Sequence, residues 1–251
     1  MRRLLDALYD GAAWLGALFM IGTLVSVLAG VLDRQFAWSL RGTDMYAGYC
    51  MAASGFLALA KLLQQPLDTY LEPAGAVQRA VRQAVAEACE VEVGSLVAGT
   101  DGCSAPNYSL PLISLATGFK NLATANGATP SDVARKRVRE AMLAHPVLVS
   151  GEGRLDYDLS RAFPGRALVK GGAEALLLLA FAEPGLGIAI MVRDGGSRAL
   201  GPIAVETLKQ VGLIGDLARF PSLQRYEAPS IENARQLVTG EVRAELVLER
   251  A

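Results

Sequence analysis

The stretch Thr100-Asp101-Gly102-Cys103-Ser104-Ala105-Pro106-Asn107-Tyr108-Ser109 offers a carboxylate, a thiol, hydroxyls and an amide within ten residues. Glycine and proline punctuate it, so it reads as a loop running into a helix capped by Ser109. Loops held by a scaffold are where catalytic groups usually sit, although polar loops without function are commoner. A cysteine hydrolase would pair Cys103 with a base, and His145 is the single histidine of the chain. His145 stands before Pro146, where a histidine more often serves the end of a helix. One thiol and one histidine also fall short of a three-ligand metal site.

Lys170 is a second candidate. It is read as the start of an apolar strand, and Gly171-Gly172 after it permit close approach of a ligand to the backbone. A partly desolvated lysine there could act as a base or an electrostatic group; a strand-edge lysine reaching solvent is the plain alternative. The third candidate is Gly151-Glu152-Gly153-Arg154-Leu155-Asp156, where glycines set an arginine beside two acids. Arg154 could clamp a substrate carboxylate through two hydrogen bonds, or form an internal ion pair that fixes the turn.

These residues need elements to hold them. Ala76 to Cys89 places Val77, Val81, Val85 and Cys89 at spacing four, the stripe of an amphipathic helix. Thr129-Pro130-Ser131-Asp132 joins a capping residue, a proline at the first helical position and an acid three residues after the cap. It opens a helix in which Val133, Val138, Met142 and Leu143 can face a core, with Arg135, Lys136, Arg137 and Arg139 on a solvated face. The segment from Arg166 to Ala199 reads as two apolar strands around the turn Glu183-Pro184-Gly185, followed by a turn at Asp194-Gly195-Gly196. Helical spacing returns from Gly201 to Ile214, which together suggests an α+β sandwich with an antiparallel sheet. No glycine pattern has the strand and helix context of a phosphate-binding loop.

The net charge of −1 gives no reason to expect nucleic acid. Three cysteines, Cys50, Cys89 and Cys103, with no C-x-x-C spacing argue against a disulfide framework. The 52% hydrophobic content is concentrated early: Gly11 to Leu32 and Met45 to Ala60 contain no charged residue. A membrane-crossing helix needs about 20 apolar residues, so the first run qualifies and the second is slightly short. Gly22, Ser26 and Gly30 line one face suited to close helix packing, and Trp14 and Trp38 stand near the ends of the first run. Arg2 and Arg3 favour a cytoplasmic N-terminus. The expectation is a transmembrane-like hairpin over residues 1–60 and a separate domain over 61–251. The hairpin would sit in the inner membrane with that domain cytoplasmic; without insertion the whole chain would be cytoplasmic.

Two resemblances sharpen this division. The segment up to about Ala60, with its "RGTDMYAGY" connection, resembles the N-terminal half of the small permease subunit of TRAP transporters. That family has four membrane helices and works beside a large permease subunit and a solute receptor, so this chain would hold half of a small permease. From about Leu57 onward, "GTDGCSAPNYSLPLISLATGF", "HPVLVSGEGRLDYDL", "LVKGGAEALLLLAF" and "GLGIAIMVRDGGSRA" occur in the order and spacing of the L-asparaginase II family. The resemblance implies an incomplete penicillin-binding-protein or β-lactamase-like α+β fold. It also implies hydrolysis of the side-chain amide of L-asparagine, or a similar small amide, to a carboxylate and ammonia through an acyl-enzyme.

On that resemblance Asp101 and Lys170 are catalytic, Arg154, Gly102 and Glu174 bind substrate, and Cys103 helps hold a zinc ion. A homodimer is a further candidate for its assembly. The family's serine-bearing S-x-x-K segment and its C-S-G-K-H segment have no counterpart in the sequence, and the lysine usual in the G-I-A-L-K tract is Met191. Groups that act as a unit fail as a unit, so amide cleavage is expected to be feeble. A fusion of two partial proteins, inactive in either role, is the alternative. The apolar phrase Phe56 to Lys61 fits both families and would be the seam. Surface left bare by missing parts is expected to promote aggregation.

Overall fold

The computed structural model describes residues 14, 17–26, 28–29, 54–66, 69–102 and 104–249. The chain divides into two compact units, Met1–Ala86 with Glu92–Ser109, and Glu87–Val91 with Leu110–Ala251.

In the first unit, residues 17–26 are helical and expose Leu18, Ile21, Leu24 and Val25. Residues 54–62 form a second helical stretch, near which Phe56 stacks on Tyr70 with ring centroids 6.0 Å apart. Among the described residues no helix is long and apolar enough to cross a membrane. The connection carrying Trp38, and most of the second apolar run, lie outside the described residues.

Helix α1, Ala76–Cys89, follows the predicted stripe. Val77 and Cys89 are buried, while Val81 and Val85 are half-buried. Gln78 is wholly buried, and its Nε2 donates to the Tyr70 carbonyl at 2.8 Å. Arg82 ties α1 to the chain beyond it by donating to the carbonyls of Val93 and Leu96 at 3.1 and 2.7 Å. Strands β1, Val97–Thr100, and β2, Pro106–Ser109, pair antiparallel with Val97 opposite Ser109. Ser109 therefore ends a strand and caps no helix, contrary to expectation. The next helix starts only at Leu112, entered through Pro111, whose fixed φ of −58° suits the approach.

The second unit is built on the antiparallel sheet β3, Ala167–Gly172, β4, Leu176–Phe181, and β5, Leu186–Met191, in that order. Three strands stand where the sequence suggested two. The chain folds back at Ala173–Leu176, where Glu174 and Ala175 take φ of 53° and 58° and the Leu176 N–H donates to the Ala173 carbonyl at 3.3 Å. Two left-handed residues in succession match the twist of a hairpin, and this turn uses them without glycine.

Alternation along the strands loads both faces of the sheet. Leu168 and Ala180 pack with Phe119, Leu122 and Ala123 of α2, Leu112–Ala123, and with Met142 and Leu143 of α3, Pro130–Ala144. Val169, Leu177, Leu179, Ile188 and Ile190 pack on the opposite side. Their partners come from α5, Leu155–Ala162, α6, Leu200–Gln210, and α7, Pro221–Glu227. The short α4, Pro146–Ser150, links α3 to α5, with His145 ending α3 and starting α4. A second hairpin, β6, Ser230–Glu232, with β7, Val238–Glu241, is exposed throughout. The expected α+β class with an antiparallel sheet between helices holds for this unit.

The predicted start of α3 is realised. Thr129 Oγ1 accepts from Asp132 N at 3.1 Å, with Pro130 in the first turn. Asp132 turns back to accept the N–H groups of Asn126, Gly127 and Ala128 at 2.9, 2.6 and 3.0 Å. The Ala128 and Gly127 bonds above all hold its carboxyl below the usual carboxylate range. Farther along α3, Met142 and Leu143 reach the core, whereas Val133 and Val138 stay about half exposed. Two of the four basic residues tie α3 to its surroundings: Arg139 donates to the carbonyls of Ala123, at the end of α2, and Ala125, and Arg135 pairs with Glu87 at 3.2 Å.

Helix α2 comes close to β5 at Gly187, where an added Cβ would overlap the carbonyl oxygen of Ala116 and press on Lys120. Replacing Gly187 with alanine is expected to cost roughly 1–3 kcal/mol through overpacking. Gly215, which has open space at its Cβ position, should accept alanine within about 0.5 kcal/mol. Urea unfolding of the two variants checks the contrast.

Candidate functional site

The candidate residues fall in both units. Asp101 and Gly102 lie in the loop between β1 and β2 of the first unit. The Asp101 N–H donates to the Ala105 carbonyl at 3.1 Å, its Oδ1 accepts from Ala105 N at 3.2 Å, and its carbonyl accepts from Ser104 N at 3.1 Å. Asp101 thus holds the hairpin closed, helped by the left-handed Ser104. Cys103 lies outside the described residues. Among the described residues no three His, Cys, Asp or Glu side chains gather as a metal site, so they do not furnish the donor set a zinc ion needs.

Lys170, Arg154 and Glu174 belong to the second unit. Lys170 is the fourth residue of β3 and stands near its end, not at its start. Strand alternation sends its side chain to the Leu168 face of the sheet, while Gly171 shares the face of Val169. Gly171 nevertheless joins the two sides. Its carbonyl accepts from Lys170 Nζ at 2.6 Å, and its N–H donates to Asp156 Oδ2 at 3.0 Å. Neither group is used by β4, so both lie along the free edge of β3.

Asp156 is only 3% exposed, and its Oδ1 lies 3.5 Å from Arg154 Nε. The local sequence explains how it gets there. Gly151 and Gly153, at φ of 83° and 80°, turn the chain out of α4, and α5 then begins at Leu155 with Asp156 and Asp158 in its first turn. An acid in the first turn of a helix suits the helix dipole. A Cβ on Gly171 would come 3.0 Å from Asp156 Oδ2, so glycine there admits the carboxylate. The Arg154 side chain is 63% exposed, leaving its remaining N–H groups turned to solvent. Of the two alternatives the sequence offered, the internal ion pair is formed.

Glu174 sits on the hairpin turn after β3, exposed, with its Cβ 3.7 Å from where a side chain on Gly195 would begin. A left-handed residue other than glycine costs on the order of 1 kcal/mol. The strain at Glu174 and Ala175 therefore adjoins Lys170 and Gly171.

Beside this edge opens a cavity of about 460 Å³. Its lining includes Arg154, Asp156, Gly171, Arg198 and Tyr226. The last two carry no local signal in the sequence. Tyr226 accepts from its neighbour Arg225 at 2.7 Å and donates to Asp158 Oδ2 at 2.8 Å, the latter across a sequence separation that no motif search spans. Burial, with the Asp158 carboxylate beside it, pushes the Tyr226 hydroxyl above its usual range, so it remains a proton donor at neutral pH. Chemically the edge offers an ammonium and a guanidinium on either side of a buried carboxylate. That arrangement suits an anionic group.

The sequence profile of the L-asparaginase II family matches residues 53–244. The match starts slightly before Leu57 and leaves the first 52 residues outside it. No match to a curated protein was found.

Truncating Asp156 to alanine strands the Gly171 N–H and should lower stability by roughly 1–3 kcal/mol. Truncating the exposed Arg154 should cost less than about 1 kcal/mol. Chemical denaturation of both variants separates the buried hydrogen bond from the solvated ion pair.

Proposed function

The chain belongs to the L-asparaginase II family, and we propose that it binds L-asparagine or a similar small amide and hydrolyses its side-chain amide slowly. Net reaction consumes water, breaks the C–N bond of the amide, and gives a carboxylate and ammonia. The observation that carries this reading is the assembly of Lys170, Arg154 and Asp156 around Gly171. Arg154 takes the substrate α-carboxylate, because its outward N–H groups can hold two oxygens at once. Lys170, held by the Gly171 carbonyl, places its positive charge where the amide oxygen gains negative charge on attack. Glu174 receives the substrate ammonium group.

A covalent route would need a serine with an activating lysine in S-x-x-K spacing, and the sequence holds none. The proposed turnover is therefore attack by water, assisted electrostatically and without an acyl-enzyme. Ammonia release from L-asparagine by the purified chain should be slow but above the uncatalysed rate. Lys170→Ala should reduce kcat/KM by about tenfold or more, and Arg154→Ala should raise KM with less effect on kcat. No release from folded protein, or release unaffected by Lys170→Ala, overturns the reading.

A second reading concerns the N-terminal residues. The helical residues 17–26 turn Leu18, Ile21, Leu24 and Val25 outward, which favours a hydrophobic partner such as lipid or the helices of a transporter subunit. On this reading the chain is a membrane-bound small-permease fragment with an asparaginase-like appendage. Alkaline carbonate should leave it in the membrane pellet and detergent should release it; recovery in the carbonate supernatant removes the reading.

A further inference from the structure

The cavity at the edge of β3 is larger and more apolar than a small polar amide requires. Its floor is formed by Leu155, Ala175, Leu177, Leu200 and Pro202, contributed by α5, the β3–β4 turn, β4 and α6. Its rim carries two guanidiniums, Arg154 and Arg198, with the Ser197 hydroxyl beside the second. Ligand sites commonly combine an apolar wall with a few convergent polar groups, and about 460 Å³ lies within their usual range.

Each guanidinium is already paired with one carboxylate, Arg154 with Asp156 and Arg198 with Asp194, so an anion would be held by the N–H groups these pairs leave unused. Asp156 is engaged at both oxygens, by Gly171 N–H and Arg154 Nε. Arg198 is held through one terminal nitrogen by Asp194, and its side chain remains 67% exposed. Close packing brings these groups to the cavity. Arg198 folds over Gly196, where a Cβ would collide with its guanidinium. The Tyr226 ring lies against Gly201 of α6, where a Cβ would come 2.9 Å from Cδ1. The ring is fixed from behind by its hydroxyl bond to Asp158.

From this arrangement we propose that the cavity binds an apolar monocarboxylate, a medium-chain fatty acid or an aryl-alkyl acid. The hydrocarbon covers Leu177, Leu200 and Pro202, and the carboxylate lies between Arg154 and Arg198. One carboxylate can take the remaining N–H groups of both arginines, whereas a dicarboxylate would set its second charge against the apolar floor, at a desolvation cost no partner offsets. The site shares Arg154 with the proposed asparagine site, so an apolar acid and asparagine exclude one another. It does not depend on amide cleavage.

Calorimetric titration of the full chain in detergent-free buffer with octanoate tests the proposal. Saturable binding is expected, weakened about tenfold or more for octanamide, which keeps the chain and loses the charge, and for acetate, which keeps the charge and loses the chain. Arg198→Ala, at an exposed position outside the proposed amide chemistry, should weaken octanoate by a similar factor while leaving the circular dichroism spectrum unchanged. Absence of saturable octanoate binding, equal binding of octanamide, or an unchanged affinity in Arg198→Ala each overturns the proposal. Ammonia release from asparagine is scored separately, so failure of one reading leaves the other to its own test.

Discussion

The second unit turns on one partly buried hydrogen bond, from the Gly171 N–H to the carboxylate of Asp156. An edge strand presents unpaired backbone groups, and leaving such a donor buried costs about 1–3 kcal/mol. Asp156 satisfies it from the first turn of α5 and in doing so fixes that helix against the strand. The same carboxylate holds Arg154, and the other backbone group of Gly171 holds Lys170. Three charged side chains thereby gather at one residue that has no side chain of its own.

The layers around the sheet make this edge rigid. Leu168 and Ala180 bind one helical layer, and Val169, Leu177 and Leu179 bind the other. Each fully buried leucine or valine contributes roughly 1.5–3 kcal/mol relative to exposure, so the faces of β3 and β4 are strongly specified. A slip by one residue would exchange the two packed faces, carrying Lys170 to the side of Leu177 and Leu179 and Val169 to the side of α2 and α3. The close approach at Gly187 presses α2 onto β5 and removes slack from the opposite side. The glycines at 187, 196 and 201 mark places where another group comes nearer than a Cβ allows, and at 171 a Cβ would be tightly pressed against Asp156.

Much of this was legible in the residues. Thr129, Pro130 and Asp132 announced the start of α3, because capping is a local transaction between side chains and nearby backbone. The stripe of α1 and the apolar strands followed from periodicity. Two features misled. Ser109 looked like a cap but is occupied in pairing with Val97, a partner twelve residues earlier. The segment from Ala167 to Phe181 looked like one strand because its turn uses Glu174 and Ala175 in a conformation normally reserved for glycine and asparagine.

By itself the sequence determined the family of residues 53–244, the α+β class of the second unit and the identities of Lys170, Arg154 and Glu174 as candidates. These rest on local order, which a chain carries whether or not it is folded. Only the tertiary structure decided that Lys170 and Arg154 meet through Gly171, and that Asp156 is the buried group between them. It alone brought Arg198 and Tyr226 to the same cavity. Such meetings depend on strand alternation, on the turn at Glu174 and on helices packed from distant parts of the chain, and no spacing along the sequence encodes them.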